Sequence, residues 1–227
     1  MKVLTVNIGA IRPTEDSSAG VTGIDKRPVD GPVLVSDPGV KGEGGSGLAG
    51  DGIGDLRNHG GSDQAVYAFA REDLDGWERE LGHPLANGAF GENLTTGGVD
   101  VNGALIGEQW RIGPRLLLEV TSARIPCRTF AAQLGQRGWV RRFTQAAAPG
   151  AYLRVLRPGE IRAGDAVEVV HRPAHRVTVA VAFRAATTER TLLPEVLAAG
   201  EALHPELLES ARAYAARAGD RNAERPA

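Results

Sequence analysis

The chain has a single cysteine among 227 residues, Cys127. That scarcity excludes an internal disulfide, an all-cysteine zinc site and an iron–sulfur cluster on its usual cysteine set. A marked excess of either charge is missing as well. With 26 basic residues against 28 acidic ones, no basic face is advertised to nucleic acid or to an anionic lipid surface. No apolar run approaches the ~20 residues of a membrane helix, and MKVLTVNIGA reaches Arg12 and Pro13 too soon for a signal peptide. The expectation is a soluble cytoplasmic protein whose partner is a small molecule, with neither a nucleic-acid polymer nor a membrane involved.

Nucleotide fingerprints are also wanting. There is no G-x-x-x-x-G-K-[ST] loop, and GSGLAG (45–50), which has dinucleotide-loop spacing, lacks the adjoining strand and is followed by DGIGD where a helix should begin. His171 and His175 have the i, i+4 spacing of helical metal ligands, but Pro173 between them breaks the helix this requires.

What is present reads as β-rich. KVLTVNI (2–8), PVLV (32–35), AVYAFA (65–70), ALIGEQWRIG and RLLLEVTSAR have strand character, and AYLRVLRPGEIRAGDAVEVV (151–170) predicts a hairpin around Pro-Gly. Residues 39–61 are too glycine-rich for a core element and form a loop, and REDLDGWEREL (71–81) predicts a helix. Many short strands and long loops favour a closed barrel or a sandwich. After HRPAHRVT (171–178) the composition turns rich in alanine and leucine, predicting a small helical appendage, while the terminal NAERPA (222–227) is expected to fray.

Three stretches carry candidate chemistry. In NHGGSDQAV (58–66), Gly60 and Gly61 let backbone approach a ligand beside His59, although a tight turn explains them equally well. GAFGENL (88–94) sets Glu92 and Asn93 on a glycine loop. In SARIPCRTF (122–130), Pro126 stiffens the approach to Cys127, and Arg124 and Arg128 favour its thiolate. Inert packing, a nucleophile and a soft metal ligand all remain open for that sulfur.

Taken in order, GIDKRPVDGPV (23–33), GDLRNHGGSDQAVYAF (54–69), Trp77, GAFGENLTTGGV (88–99), IGEQWRIG (106–113), LLEVTSARIPCRTF (117–130) and GAYLRVLRPGEIRAGDAVEVV (150–170) resemble the MOSC family, named for the C-terminal domain of molybdenum cofactor sulfurase. The resemblance is strongest to its YiiM-type stand-alone bacterial branch. It implies a mainly β fold: a closed antiparallel MOSC-type β-barrel with a few peripheral helices over residues 1–170, and a small three-helix extension over 171–227. VTVAVAFR, which reads locally as a strand, becomes a helix on this view.

The resemblance further implies a pocket for the molybdenum cofactor, a phosphate-bearing pterin dithiolene, with Cys127 as the ligand to molybdenum. His59, Gly60 and Gly61 would line that pocket. Glu92 and Asn93, on the loop that includes Gly91, would hydrogen-bond the pterin, and Arg124, Arg142 and Arg154 would neutralise its phosphate. Asp63 matches the family and would join the cofactor-binding residues, whereas Ser62 and Gln64 depart from its usual HGGPDKAV. The implied activity is molybdenum-dependent reduction of an N-hydroxylated base or amidoxime such as hydroxylaminopurine, with His59 or Glu92 as proton source. Electrons would come from a separate reductase, since the chain lacks ligands for its own redox relay; a homodimer is compatible with all of this. The alternatives are a non-catalytic carrier of the cofactor or its sulfur, and a metal-free cysteine hydrolase with His59 as base.

Overall fold

The structure, a computed structural model, describes residues 1–223, so the fraying expected of NAERPA concerns residues that lie, from 224 on, outside those described. The first strand, β1 (Lys2–Gly9), buries Val3 and Val6. A two-residue ribbon follows, β2 (Arg12–Pro13) with β3 (Val21–Thr22), and then β4 (Lys26–Pro28), which returns antiparallel along the end of β1 with Lys26 opposite Gly9. Next comes β5 (Val33–Val35), and after it the glycine-rich stretch 39–61 makes no strand of its own. Its backbone is instead tied to neighbours, Gly47 N donating to Ala65 O at 2.7 Å and Ala49 N to Leu34 O at 2.9 Å.

Every residue of β6 (Val66–Ala70) is buried, as the uninterrupted apolar run requires. α1 (Arg71–Leu81) turns Leu74 and Trp77 inward and ends on Gly82 in the left-handed conformation. It carries the chain across to β7 (Leu94–Gly97), which pairs parallel to β6. Parallel neighbours need such a crossover, since no tight turn can join them. β8 (Gln109–Ile112) and β9 (Leu116–Ala123) are a hairpin, and Leu116, Leu118 and Val120 alternate inward along β9. Two short helices, α2 (Arg128–Leu134) and α3 (Trp139–Ala146), precede β10 (Ala151–Arg157). The last strands are β11 (Gly159–Ile161) and β12 (Val167–His171), and the helices α4 (Val179–Thr187), α5 (Leu193–Val196) and α6 (Pro205–Ala223) follow them among the described residues.

Eight strands form one sheet in the order β12-β8-β9-β10-β6-β7-β1-β4, and β11 pairs with β5 apart from it. The closed antiparallel barrel expected from the sequence is therefore not what forms. The sheet is mixed, because β6 and β7 run parallel, and its ends do not pair. β4 has three residues and ends on Pro28, which offers no N–H to a further strand. Where β1 approaches β12 the contact is the isolated bridge Lys2↔Ala166, with Val3 N donating to Asp165 O and Gly164 N to Val3 O, each at 2.9 Å, and Val167 N to Met1 O at 3.1 Å, and no strand ladder forms there. The hairpin predicted for 151–170 is also replaced: β10 pairs with β9 and β6, while β11 leaves to join β5.

Two buried clusters hold these elements. The larger is mostly aliphatic and continues from the sheet into α4, α5 and α6 through Val179, Ala182, Phe183, Leu193, Val196 and Leu208. The smaller contains Tyr67, Phe69, Trp77, Phe90, Phe130, Trp139 and Phe143, seven of the chain's eleven aromatic residues. Its rings meet mostly edge to face, Phe130 with Trp139 at 5.4 Å and Phe90 with Phe130 at 5.1 Å, geometry worth ~0.5–1.5 kcal/mol per pair beyond burial. This cluster fixes α1, α2 and α3 against β6, and so fixes the segment around Cys127.

VTVAVAFR does form a helix. Thr178 accepts from Val181 N at 3.1 Å as an N-cap, and Val179, Ala182 and Phe183 fall on one buried face. Its local strand-like alternation gives way to packing on β9.

Candidate functional site

The end of β9 determines the site. Arg124 follows the last paired residues and is 5% exposed. Ile125 projects outward, held extended by the following Pro126. Cys127 then caps α2 in an extended conformation (φ −124°, ψ 172°). The thiol faces a cleft of about 670 Å³ that is also lined by His59, Lys26, Gly91, Arg124 and Tyr152, within the ~300–1,000 Å³ typical of small-molecule sites.

Arg124 is unusual because no carboxylate pairs with it, and its one charged neighbour of opposite sign in the cleft is the Cys127 sulfur. Its guanidinium donates to Phe90 O at 2.8 Å and lies over the rings of Phe130, at 4.1 Å, and Tyr67, at 5.2 Å. Among the described residues it makes no ion pair, and its Nε is buried without a hydrogen-bond partner. A buried cation left uncompensated is costly, and such sites usually recruit an anion. Lys26 differs. It is buried against Asp51, which also accepts from Gly9 N and Asn93 Nδ2, each at 2.8 Å. Burial lowers the lysine's pKa, and the Asp51 carboxylate opposes that shift.

The electrostatics converge on the sulfur. Burial alone would raise the Cys127 thiol, but the neighbouring His59 imidazole, the Arg124 charge and the Phe130 amide outweigh it and bring the pKa down to about 6. A thiol with that pKa is mostly thiolate at neutral pH. Alkylation of cofactor-free protein by iodoacetamide should therefore become half-maximal near pH 6 and be flat above roughly pH 7.5. A rate that climbs through roughly pH 8.5, like that of an ordinary thiol, would show that the cations do not act on it.

Of the residues singled out in the sequence, Cys127, His59, Arg124 and Gly91 meet at the cleft, and Arg128 lies at its edge with an exposed guanidinium turned to Asp16 and the Glu15 carbonyl. Gly91 needs its glycine, since φ is +75° and the Ile24 side chain lies only 2.9 Å from where a Cβ would stand. Gly60 and Gly61 do not line the cleft. They turn at φ +82° and +80°, and a Cβ on either would stand 2.7 Å from the backbone of Gly45 or Lys41, so they allow two loop segments to touch. Glu92 is wholly buried behind the cleft wall and accepts from Gly88 N (2.6 Å), Phe90 N (3.0 Å) and Thr95 Oγ1 (2.8 Å). Asn93 accepts from Tyr67 N at 3.1 Å. Both organise the loop that presents Gly91 and the Phe90 carbonyl.

The other two arginines serve elsewhere. Arg154 pairs with Asp63 at 2.7 Å and Glu119 at 3.4 Å, and reaches the carbonyls of Glu201 and Ala202, stapling the sheet to the C-terminal segment. Arg142 pairs with Glu80 at the surface. Sequence reasoning did not single out Lys26 or Tyr152. Both face the cleft because of strand register, for Tyr152 lies opposite Ser122 on β9 and Tyr67 on β6.

Residues 55–168 match the MOSC domain family. The chain belongs to that family. This MOSC protein is 34% identical over 183 residues to the uncharacterized protein YflK of Bacillus subtilis, with 80% of the chain and 79% of YflK covered. It is 29% identical over 175 residues to a protein of Gibberella moniliformis named a reductase, covering 75% of the chain but only 29% of that longer protein. Its fold is similar to the crystal structure of YiiM from Geobacillus stearothermophilus, with a TM-score of 0.74 and 25% identity over 93% of this chain and 97% of that one. The matched span holds His59, Glu92, Arg124 and Cys127, whereas Lys26 precedes it and α4 to α6 follow it. No helix among the described residues is long and apolar enough to cross a membrane.

The donor set suits a metal that arrives with ligands of its own. Among the described residues no group of three or more His, Cys, Asp and Glu side chains comes together to hold an ion. One soft thiolate beside an unpaired buried arginine matches an anionic organic cofactor that carries the metal and needs a single protein ligand.

Proposed function

We propose that this MOSC protein binds the molybdenum cofactor in the Cys127 cleft and reduces N-hydroxylated compounds of the amidoxime or hydroxylamino-base type. The observation that carries the reading is the pairing of a thiol of pKa about 6 with the carboxylate-free, buried Arg124 on one cleft wall. The family match and a relative named a reductase support it. Bound there, the cofactor supplies two-electron oxygen-atom acceptor chemistry.

Each residue then has a task. Cys127 offers its thiolate to molybdenum. Arg124 sets a fixed, desolvated cation against the cofactor's negative charge, where such a contact is worth more than in water. His59, next to the sulfur at the cleft wall, is placed to deliver a proton to the oxygen departing from nitrogen. Tyr152 and Ile24 give that wall apolar surface that limits water. The reaction balances as R–NH–OH plus two electrons and two protons giving R–NH2 and water. A separate reductase supplies the electrons.

Loaded protein should reduce benzamidoxime to benzamidine with a chemical reductant, and Cys127→Ser should lose at least roughly 10³ of that rate, as removal of a metal anchor does. Undiminished turnover in Cys127→Ser would remove the proposal. Loaded protein without turnover would favour the cofactor carrier.

A further inference from the structure

A second recess, of about 220 Å³, opens where β9 meets α4 and α6 and shares Gln64, Ala123, Ile125 and Glu206 with the main cleft. It is smaller than the ~300–1,000 Å³ that houses a whole ligand, and suits one ring system. Its apolar walls are Ala182, Phe183 and Ala186 of α4 and Leu207 of α6. Two polar atoms there lack partners: the Ser122 hydroxyl and Gln64 Oε1 are buried and make no hydrogen bond among the described residues, and Ser122 is 7% exposed. Buried groups in that state are uncommon, and a bound ligand would satisfy them.

His204 supplies a third group. Its Nδ1 accepts from Glu206 N at 3.3 Å, which in the neutral imidazole leaves the proton on Nε2 as a donor. Burial holds this histidine's pKa below the ordinary value, against the pull of Asp63 and Glu206, while Lys41 and Arg154 reinforce the lowering.

We propose that this recess is the ring subsite of the substrate: it takes a flat heteroaromatic ring edge-on, Gln64 Oε1 accepting from a ring-edge N–H, while Ser122 Oγ and His204 Nε2 donate to ring acceptors. The N–OH end remains in the main cleft with Cys127. This rests on the reductase reading and adds to it where substrate choice resides. The recess walls on α4 and α6 lie outside the family-matched span 55–168, so relatives with the same Cys127 cleft are free to choose different rings through their C-terminal helices.

The test is calorimetric titration of adenine into wild-type protein, Ala186→Phe and Ser122→Ala, with molybdenum measured on the same samples. Ala186 is an exposed rim position, so phenylalanine fills the opening without disturbing the core. Ala186→Phe should weaken adenine at least about tenfold, and Ser122→Ala about three- to tenfold, the worth of one hydrogen bond, both with unchanged thermal midpoints. No adenine binding by wild type, or unchanged affinity in Ala186→Phe, overturns the subsite. Full metal with no effect of Ala186→Phe removes the recess alone. Adenine binding through the recess by protein that carries neither molybdenum nor pterin, although its host loads another molybdoenzyme, removes the cofactor reading alone.

Discussion

Replacing Arg124 by methionine is expected to make cofactor-free protein more resistant to heat while cutting its retention of pterin by about 10- to 100-fold. The two effects have one cause. The guanidinium is buried without a carboxylate, with its Nε unpartnered, so the cofactor-free fold bears a desolvated charge that an apolar side chain of similar length removes. Exchanging buried charges for well-packed apolar groups is often neutral or stabilising by ~1–4 kcal/mol. Against that stand one hydrogen bond to Phe90 O and the stacking on Phe130 and Tyr67, the latter worth ~0.5–2 kcal/mol. Cofactor binding loses a charge-assisted contact of ~1.5–3 kcal/mol, which is the stated fold-change. The Cys127 pKa should also rise from about 6. Thermal denaturation, pterin fluorescence after release and thiol alkylation measure the three effects. Lower heat stability together with full pterin retention would make Arg124 a packing residue.

Glu92→Leu is expected to destabilise the fold by roughly 3 kcal/mol or more, since each buried donor left unpaired costs about 1–3 kcal/mol. The carboxylate is fully buried and accepts from two backbone amides and one hydroxyl. Leucine would leave all three donors unpaired. The loop of residues 88–93 would then lose its shape, and with it the carbonyl that receives Arg124 and the Gly91 wall of the cleft. Denaturant titration checks the stability change. Glu92→Gln keeps one acceptor oxygen and should fall between wild type and leucine. A leucine variant as stable as wild type but without turnover would return Glu92 to the proton-transfer role that the family resemblance implies.

Cys127, Arg124 and His59 were legible because they sit in short motifs whose residue types state their chemistry, and the structure brings all three to one cleft. Glu92 and Asn93 lie in an equally recognisable motif, yet a motif does not say which way a side chain points. Arg142 and Arg154 were attractive as cations only until their partners Glu80, Asp63 and Glu119 were placed.

Local patterns also found most elements, including α1, with its acidic first turn, and the alternating β9. They did not reveal pairing over long separations. The open mixed sheet, the parallel β6–β7 neighbours and the departure of β11 to β5 follow from contacts between residues far apart in the chain. Tyr152 was hidden for the same reason, and Lys26 because its buried partner Asp51 lies in a glycine-rich loop that carries no pattern.

The most direct measurement is molybdenum and released pterin in wild type and Cys127→Ala, both produced in a host shown to load another molybdoenzyme. The account predicts near-stoichiometric metal in wild type and its loss from Cys127→Ala. Equal metal in both proteins would contradict the thiolate ligand, and neither metal nor pterin in wild type would contradict the cofactor cleft itself.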